Sequence, residues 1–253
     1  MNTKKLLIIL VISILGLNFL NIEFKKNFEK SVIEVIKNHP EEVKTALNSP
    51  SNGPGQPAVI IPPAPQPAQP SEEDQFKQQL ADKVNVDIGN TPIRGRSDAK
   101  IMLVVFSDFQ CPFSKRGQDT ALALKKKYGD NLMFVYKNLP LPFHPEGMPS
   151  AKAAAAAAKQ GKFYEYHDKL FENQDKLGEP LYVQIAKDLG LNMQKFNADR
   201  NSKEIEDQIK ADLAQASSLG FNGTPGFALN GVKILGAYPI DHFEKVISAL
   251  GLN

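Results

Sequence analysis

Cys111 is the single cysteine of this 253-residue chain, and its neighbours suit a nucleophile. It opens the tetrad Cys111-Pro112-Phe113-Ser114, behind the polar turn Ser107-Asp108-Phe109-Gln110 and the uninterrupted apolar run 101–106. An apolar run without alternation predicts a strand covered on both faces. Proline is favoured at the first helical position, where its missing N–H costs nothing, so Pro112 predicts Cys111 as a helix N-cap. Unpaired backbone N–H groups and the positive end of the helix dipole favour thiolate over thiol there. The expectation is an exposed, activated sulfur aimed at solvent.

Other chemistry is excluded by composition. The formal charge of +2 comes from 30 basic and 28 acidic residues interspersed along the chain. Without a basic stripe, no nucleic-acid partner is expected. His39, His144, His167 and His242 are scattered, and one thiol cannot complete a zinc site, so neither a metal nor a resident cofactor is expected. A lone cysteine also rules out an internal disulfide and leaves the compartment undecided by cysteine count.

The N-terminus speaks to compartment. Lys4 and Lys5 precede an apolar run over 6–20, which reads as a signal peptide or signal anchor within residues 1–22. Either places the bulk of the chain outside the cytoplasm, periplasmic or extracytoplasmic, secreted or N-terminally anchored. Residues 23–48 read as an amphipathic helical segment, with Phe24, Phe28, Val32, Val35 and Ile36 at helical spacing. Such a stripe predicts a homo-oligomer or a helix lying on lipid. Residues 49–71 are a proline-rich spacer.

Residues 72–253 read as one α/β domain. The pattern predicts a helix over 72–82, a strand over 84–88, the buried strand 101–106, a helix from Pro112 to Tyr128 stopped by Gly129, and a strand over 132–136. A helical block follows at about 147–219, with an alanine run over 153–158 that suits a closely packed helix. Asn230-Gly231 between short apolar runs is a hairpin signal, and a final helix covers 240–250. Without the helical block the order is β-α-β, then β-β-α.

The segment Phe106-Ser107-Asp108-Phe109-Gln110-Cys111-Pro112-Phe113 resembles the active-site entry of DsbA-like thioredoxin-fold proteins. Leu139-Pro140-Leu141-Pro142-Phe143-His144-Pro145, Gly161-Lys162-Phe163-Tyr164-Glu165-Tyr166-His167-Asp168 and Gly223-Thr224-Pro225 are similar to later landmarks of that family. The resemblance implies a thioredoxin-like fold with an inserted helical subdomain. It also implies a cis bond at Thr224-Pro225 facing the sulfur, with Thr224 offering backbone hydrogen bonds to an extended substrate. The family motif is Cys-x-x-Cys, whereas Ser114 stands at the second position here. A hydroxyl cannot resolve a mixed disulfide.

Two readings follow. One is a monothiol thiol–disulfide oxidoreductase or isomerase: Cys111 is the nucleophile, Pro112 and Phe113 shape the helix start, and Ser114 hydrogen-bonds the thiolate. Thr224 and Pro225 form the substrate wall. An external thiol, glutathione as co-substrate or a partner redox protein, closes the cycle on cysteine-containing exported proteins. The other is an inactive binding module or chaperone for extended polypeptides. Asp108 is expected at the surface of the turn, His144 as a solvated or structural residue, and His167 as packing.

Overall fold

In the computed structural model the chain divides into two units, Met1–Pro67 and Ala68–Asn253. Residues 71–252 are described, and in the first unit only Ile33 and Lys37, both in helix. The signal or anchor segment 1–22, the rest of the helical segment 23–48 and the spacer up to residue 70 lie outside the described residues. Among the described residues no helix is long and apolar enough to cross a membrane.

Helix α1 (Glu72–Ala81) starts where the Ser71 side chain accepts the Asp74 N–H, with three acidic residues in its first turn. Strand β1 (Ile93–Arg94) is two residues long. Strand β2 (Ile101–Ser107) buries every residue but Met102, as an apolar run without alternation demands. Helix α2 (Pro112–Tyr128) has Cys111 as N-cap and ends at Gly129, and strand β3 (Leu132–Asn138) returns parallel to β2. Strands β4 (Gly226–Leu229) and β5 (Val232–Leu235) form the hairpin, and helix α8 (Ile240–Ala249) closes the domain, with Phe243, Val246 and Ile247 buried. Asn230 and Gly231 both have positive φ, 44° and 88°, which the tight turn of a two-residue hairpin requires.

The sheet order is β1-β3-β2-β4-β5, with β2 and β3 parallel and the other pairs antiparallel. One face packs Leu103, Val105, Phe134, Tyr136 and Phe227 against the helices; the other packs Val104, Phe106, Val135 and Ala228 against Phe221 and Val86. This is a thioredoxin-like α/β fold.

The strand expected at 84–88 is not one. Its alternation is real, since Val86 is buried with Val84 and Ile88 beside it, but it records contact with the second face of the sheet. Pairing stops at a single bridge between Lys83 and Val232, and Val84 N–H donates to Gly231 O. On the outer rim of β5, Lys233 N–H donates to Asp82 O and the Gln79 side chain donates to Lys233 O. The paired strand β1, too short to show a period, sits at the opposite edge and is held by Arg94. The Arg94 guanidinium lies 2.6 Å from Asp168 and 4.4 Å from the Tyr164 ring centre.

Five helices are inserted between β3 and β4: α3 (Gly147–Ala158), α4 (Phe163–Glu172), α5 (Glu179–Asp188), α6 (Met193–Arg200) and α7 (Lys203–Ser218). The alanine run lies in α3, and Ala153 through Ala157 are buried; methyl groups let neighbouring helices approach its axis. The insertion is tied back to β3 by a buried ion pair, Lys137 Nζ to Asp212 Oδ1 at 2.7 Å, while Asp212 Oδ2 accepts from the backbone N–H and the side-chain Nδ2 of Asn138.

His167 packs as expected among Phe109, Tyr136 and Phe171, with its Nδ1 2.9 Å from Asp168. Burial holds its pKa below the ordinary 6.5, against the opposing pull of Asp168. The unfolded chain therefore takes up a proton that the folded imidazole refuses. This stabilising contribution is complete above the unfolded value and is lost progressively as pH falls from 6.5 through the lower folded value. Denaturant titrations on either side of that pH should show reduced stability on the acid side, and His167→Phe should flatten the slope. Part of the slope should persist, because burial lowers the His242 pKa in the same direction. A variant with the full wild-type slope would assign the loss to other groups.

Candidate active site

The turn between β2 and α2 is set by hydrogen bonds on every side. Cys111 N–H donates to Asp108 O at 3.1 Å, and Cys111 O accepts the first helical bond, from Lys115 N–H, at 3.3 Å. Asp108 is not at the surface; its side chain is fully buried. Burying a carboxylate is costly unless it is hydrogen-bonded, and three donors meet this one. Gln110 N–H reaches Oδ1 at 2.8 Å, Leu141 N–H reaches Oδ2 at 2.7 Å, and His144 Nδ1 lies 2.8 Å from Oδ2. His144 thus has a structural partner and joins the proline-rich loop after β3 to the turn before Cys111. A Cβ on Gly147 would stand 2.9 Å from Asp108 Oδ2, so the first residue of α3 has no room for a side chain.

Cys111 is only 4% exposed, against the expectation of an open sulfur. Cys111 stands at the N-cap position as expected, but its side chain makes no capping bond, and Sγ lies 3.4 Å from the carbonyl oxygen of Thr224. The reason is the chemistry of a thiol. S–H is a donor, whereas a helix N-terminus presents donors, so the protonated sulfur turns to the nearest carbonyl. Thr224 and Pro225 are joined by a cis peptide bond, and they stand across from the sulfur as expected. Thr224 Oγ1 is buried and has no partner among the described residues.

Ser114 is also buried, and its Oγ accepts the Asp108 N–H at 3.3 Å rather than donating to the sulfur. One helical turn past Cys111, it points back under the turn. Pro112 and Phe113 face outward; Phe113 is 53% exposed with the Arg116 guanidinium over its ring, and Phe143 on the opposite loop is 72% exposed.

Five contributors left little or no local signal: Gln174, Gln110, Glu146, Tyr182 and Gly117. Gln174 Nε2 donates to Phe109 O at 2.7 Å and to Cys111 O at 2.9 Å. Gln110 Oε1 accepts Glu146 N–H at 2.7 Å, and the Glu146 carboxylate accepts the Tyr182 hydroxyl at 2.7 Å. Gly117 lets α2 approach the cis-proline: a Cβ there would lie 2.8 Å from Pro225 Cγ and 3.0 Å from Phe227 Cζ. Only Gly117 left a trace in the sequence, as a glycine inside a helical pattern.

The family model described as Thioredoxin matches residues 87–249. The chain belongs to that family. Among solved structures, a thioredoxin-like oxidoreductase from Silicibacter pomeroyi is 27% identical with a TM-score of 0.59, covering 65% of this chain and 94% of its own. The thiol-disulfide exchange protein alpha-DsbA2 from Wolbachia pipientis shares the fold at 20% identity and a TM-score of 0.58, covering 70% of this chain and 92% of its own. The fold is thus that of DsbA-like thioredoxin proteins. A curated relative, Na(+)/H(+) antiporter NhaA of Herminiimonas arsenicoxydans, is 34% identical over 157 residues, which is 62% of this chain and 25% of the relative. The chain therefore spans about a quarter of the length of that relative.

Gly117→Ala sets two effects against each other. Helix propensity gains about 1 kcal/mol, while overpacking against a proline ring costs about 1–3 kcal/mol. Calorimetry should show a net loss of stability for this thioredoxin-family member. A more stable variant would mean that the cis-proline loop yields freely.

Proposed function

We propose that this chain is an extracytoplasmic thiol–disulfide oxidoreductase of monothiol type. The Cys111 thiolate attacks one sulfur of a substrate disulfide, forming a mixed disulfide and releasing the other sulfur as a thiolate. Ser114 has no thiol with which to displace the product, so an external thiol attacks the mixed disulfide and restores Cys111. Glutathione or a partner dithiol protein fills that role, and the net reaction is thiol exchange or disulfide isomerisation. Thr224 and Pro225 form the wall against which the substrate lies.

The observation that carries this reading is the 3.4 Å approach of Cys111 Sγ to Thr224 O beside the cis-proline. In the resting thiol that carbonyl is occupied by S–H. An extended substrate would bring a main-chain N–H to that carbonyl in place of the S–H.

Location outside the cytoplasm is supported by Lys4 and Lys5 ahead of the apolar run 6–20. The occurrence of a similar domain within a chain named as an antiporter fits work beside a membrane. Exported cysteine-containing proteins are the substrates that this location supplies, and residues 23–48 offer a route to a homo-oligomer.

A second reading, a binding module for extended polypeptide, draws on the exposed Phe113 and Phe143 beside a covered sulfur. Incubation with oxidised glutathione followed by mass spectrometry separates the two. The oxidoreductase acquires one glutathionyl group on Cys111, loses it to added thiol, and acquires none as Cys111→Ala. A wild-type protein that stays unmodified, while Cys111→Ala still binds unfolded polypeptide, would leave the binding module standing.

A further inference from the structure

Gln174 lies outside the thioredoxin sheet, in a short 3-10 turn, Gln174–Lys176, between α4 and α5 of the insertion. Its side-chain amide carries two N–H donors, and both are used on the reactive turn: one on Phe109 O at 2.7 Å, the other on Cys111 O at 2.9 Å. The two carbonyls belong to the peptide units 109–110 and 111–112, so a single rigid amide brackets the dipeptide Gln110-Cys111. Cys111 O would otherwise rely on the 3.3 Å bond from Lys115 N–H, and the Cys111 N–H is already committed to Asp108 O. With the amide in place, the Cys111 backbone is held at both its N–H and its C=O, and rotation about its side-chain bond is the freedom that remains.

We propose that Gln174 is a positioning residue for Cys111: the inserted helices use it to fix where the sulfur stands for attack. The proposal deepens the oxidoreductase reading and rests on it for its purpose, though not for its test. Thiol–disulfide exchange needs the attacking sulfur in line with the S–S bond it breaks, and about an ångström of misplacement costs on the order of a hundredfold in rate. The step that it serves is balanced. Cys111 S–H loses its proton to solvent, and the thiolate forms a bond to one sulfur of the disulfide as the S–S bond breaks. The departing sulfur leaves as a thiolate.

A merely structural brace would act differently. Arg94 ties the same insertion to β1 through Asp168 and Tyr164 and makes no hydrogen bond to residues 107–111, and so reports what loosening the insertion alone does. The test compares wild type, Gln174→Leu, Gln174→Glu and Arg94→Met. Two second-order rates are measured over a range of pH, alkylation of Cys111 by iodoacetamide and mixed-disulfide formation with oxidised glutathione, alongside the denaturation midpoint of each variant. Gln174→Leu should slow both reactions about tenfold or more, between the effect of a lost hydrogen bond and that of a misplaced sulfur. Gln174→Glu, isosteric but unable to donate when ionised, should be slow above the carboxyl titration and recover towards wild type, relative to Gln174→Leu, below it. Arg94→Met should keep the wild-type rates even where its midpoint falls. Rates in both Gln174 variants equal to wild type, or a slowing in Arg94→Met that matches Gln174→Leu, would overturn the positioning role. The glutathione reaction of the wild type judges the oxidoreductase reading separately. A protein that alkylates in a Gln174-dependent manner but ignores the disulfide retains the positioning residue and loses the enzyme.

Discussion

A carboxylate sealed from water must find its hydrogen bonds inside the protein, and the Cys111 end of this molecule is arranged around that demand. Asp108 gathers an N–H from its own turn, an N–H from the loop after β3 and the imidazole of His144. Gln110 lies in the turn itself, and Leu141 and His144 both lie in the loop after β3, so satisfying one charge fixes the relative placement of these two segments. Cys111 inherits its position from this arrangement, because its N–H bonds to the Asp108 carbonyl. Ser114, one helical turn past Cys111, also serves Asp108, accepting its N–H. The serine has therefore taken on a structural duty in the turn.

Close approach is the second constraint. The sulfur meets Thr224 O only because α2 comes near enough to the β4 loop, and Gly117 is where the surfaces touch. Gly226, immediately after the cis-proline, is hemmed in by Phe221 in the same way. The two glycines leave room on both sides of Pro225. The insertion adds a third wall through Gln174, with Glu146 and Tyr182 reaching the turn by way of Gln110.

Much of this was legible in the residues. The central strand, the helix from Pro112 to Tyr128 and the hairpin at Asn230-Gly231 carry strong local signals: an unbroken apolar run, a proline at the first helical position, and a dipeptide that accepts positive φ twice. The strand expected at 84–88 failed because alternation reports which side is buried, not whether the backbone is paired. Strand β1 was invisible because two residues have no period. At the site, the Cys111 side chain turned away from the helix N-terminus because a thiol donates, and charge-based reasoning had treated it as already ionised. The burial of Asp108 and the reach of Gln174 depend on partners 33 to 65 residues away, which no local pattern encodes.

The rim of β5 has a further consequence. Asp82 and Gln79 already occupy both main-chain hydrogen-bonding groups of Lys233 on the outward side, and the opposite margin ends in a strand of only two residues. Neither border of the sheet offers a long row of vacant peptide groups, so one molecule cannot template the next into a growing ribbon. Association of copies through strand pairing at either border is thereby disfavoured.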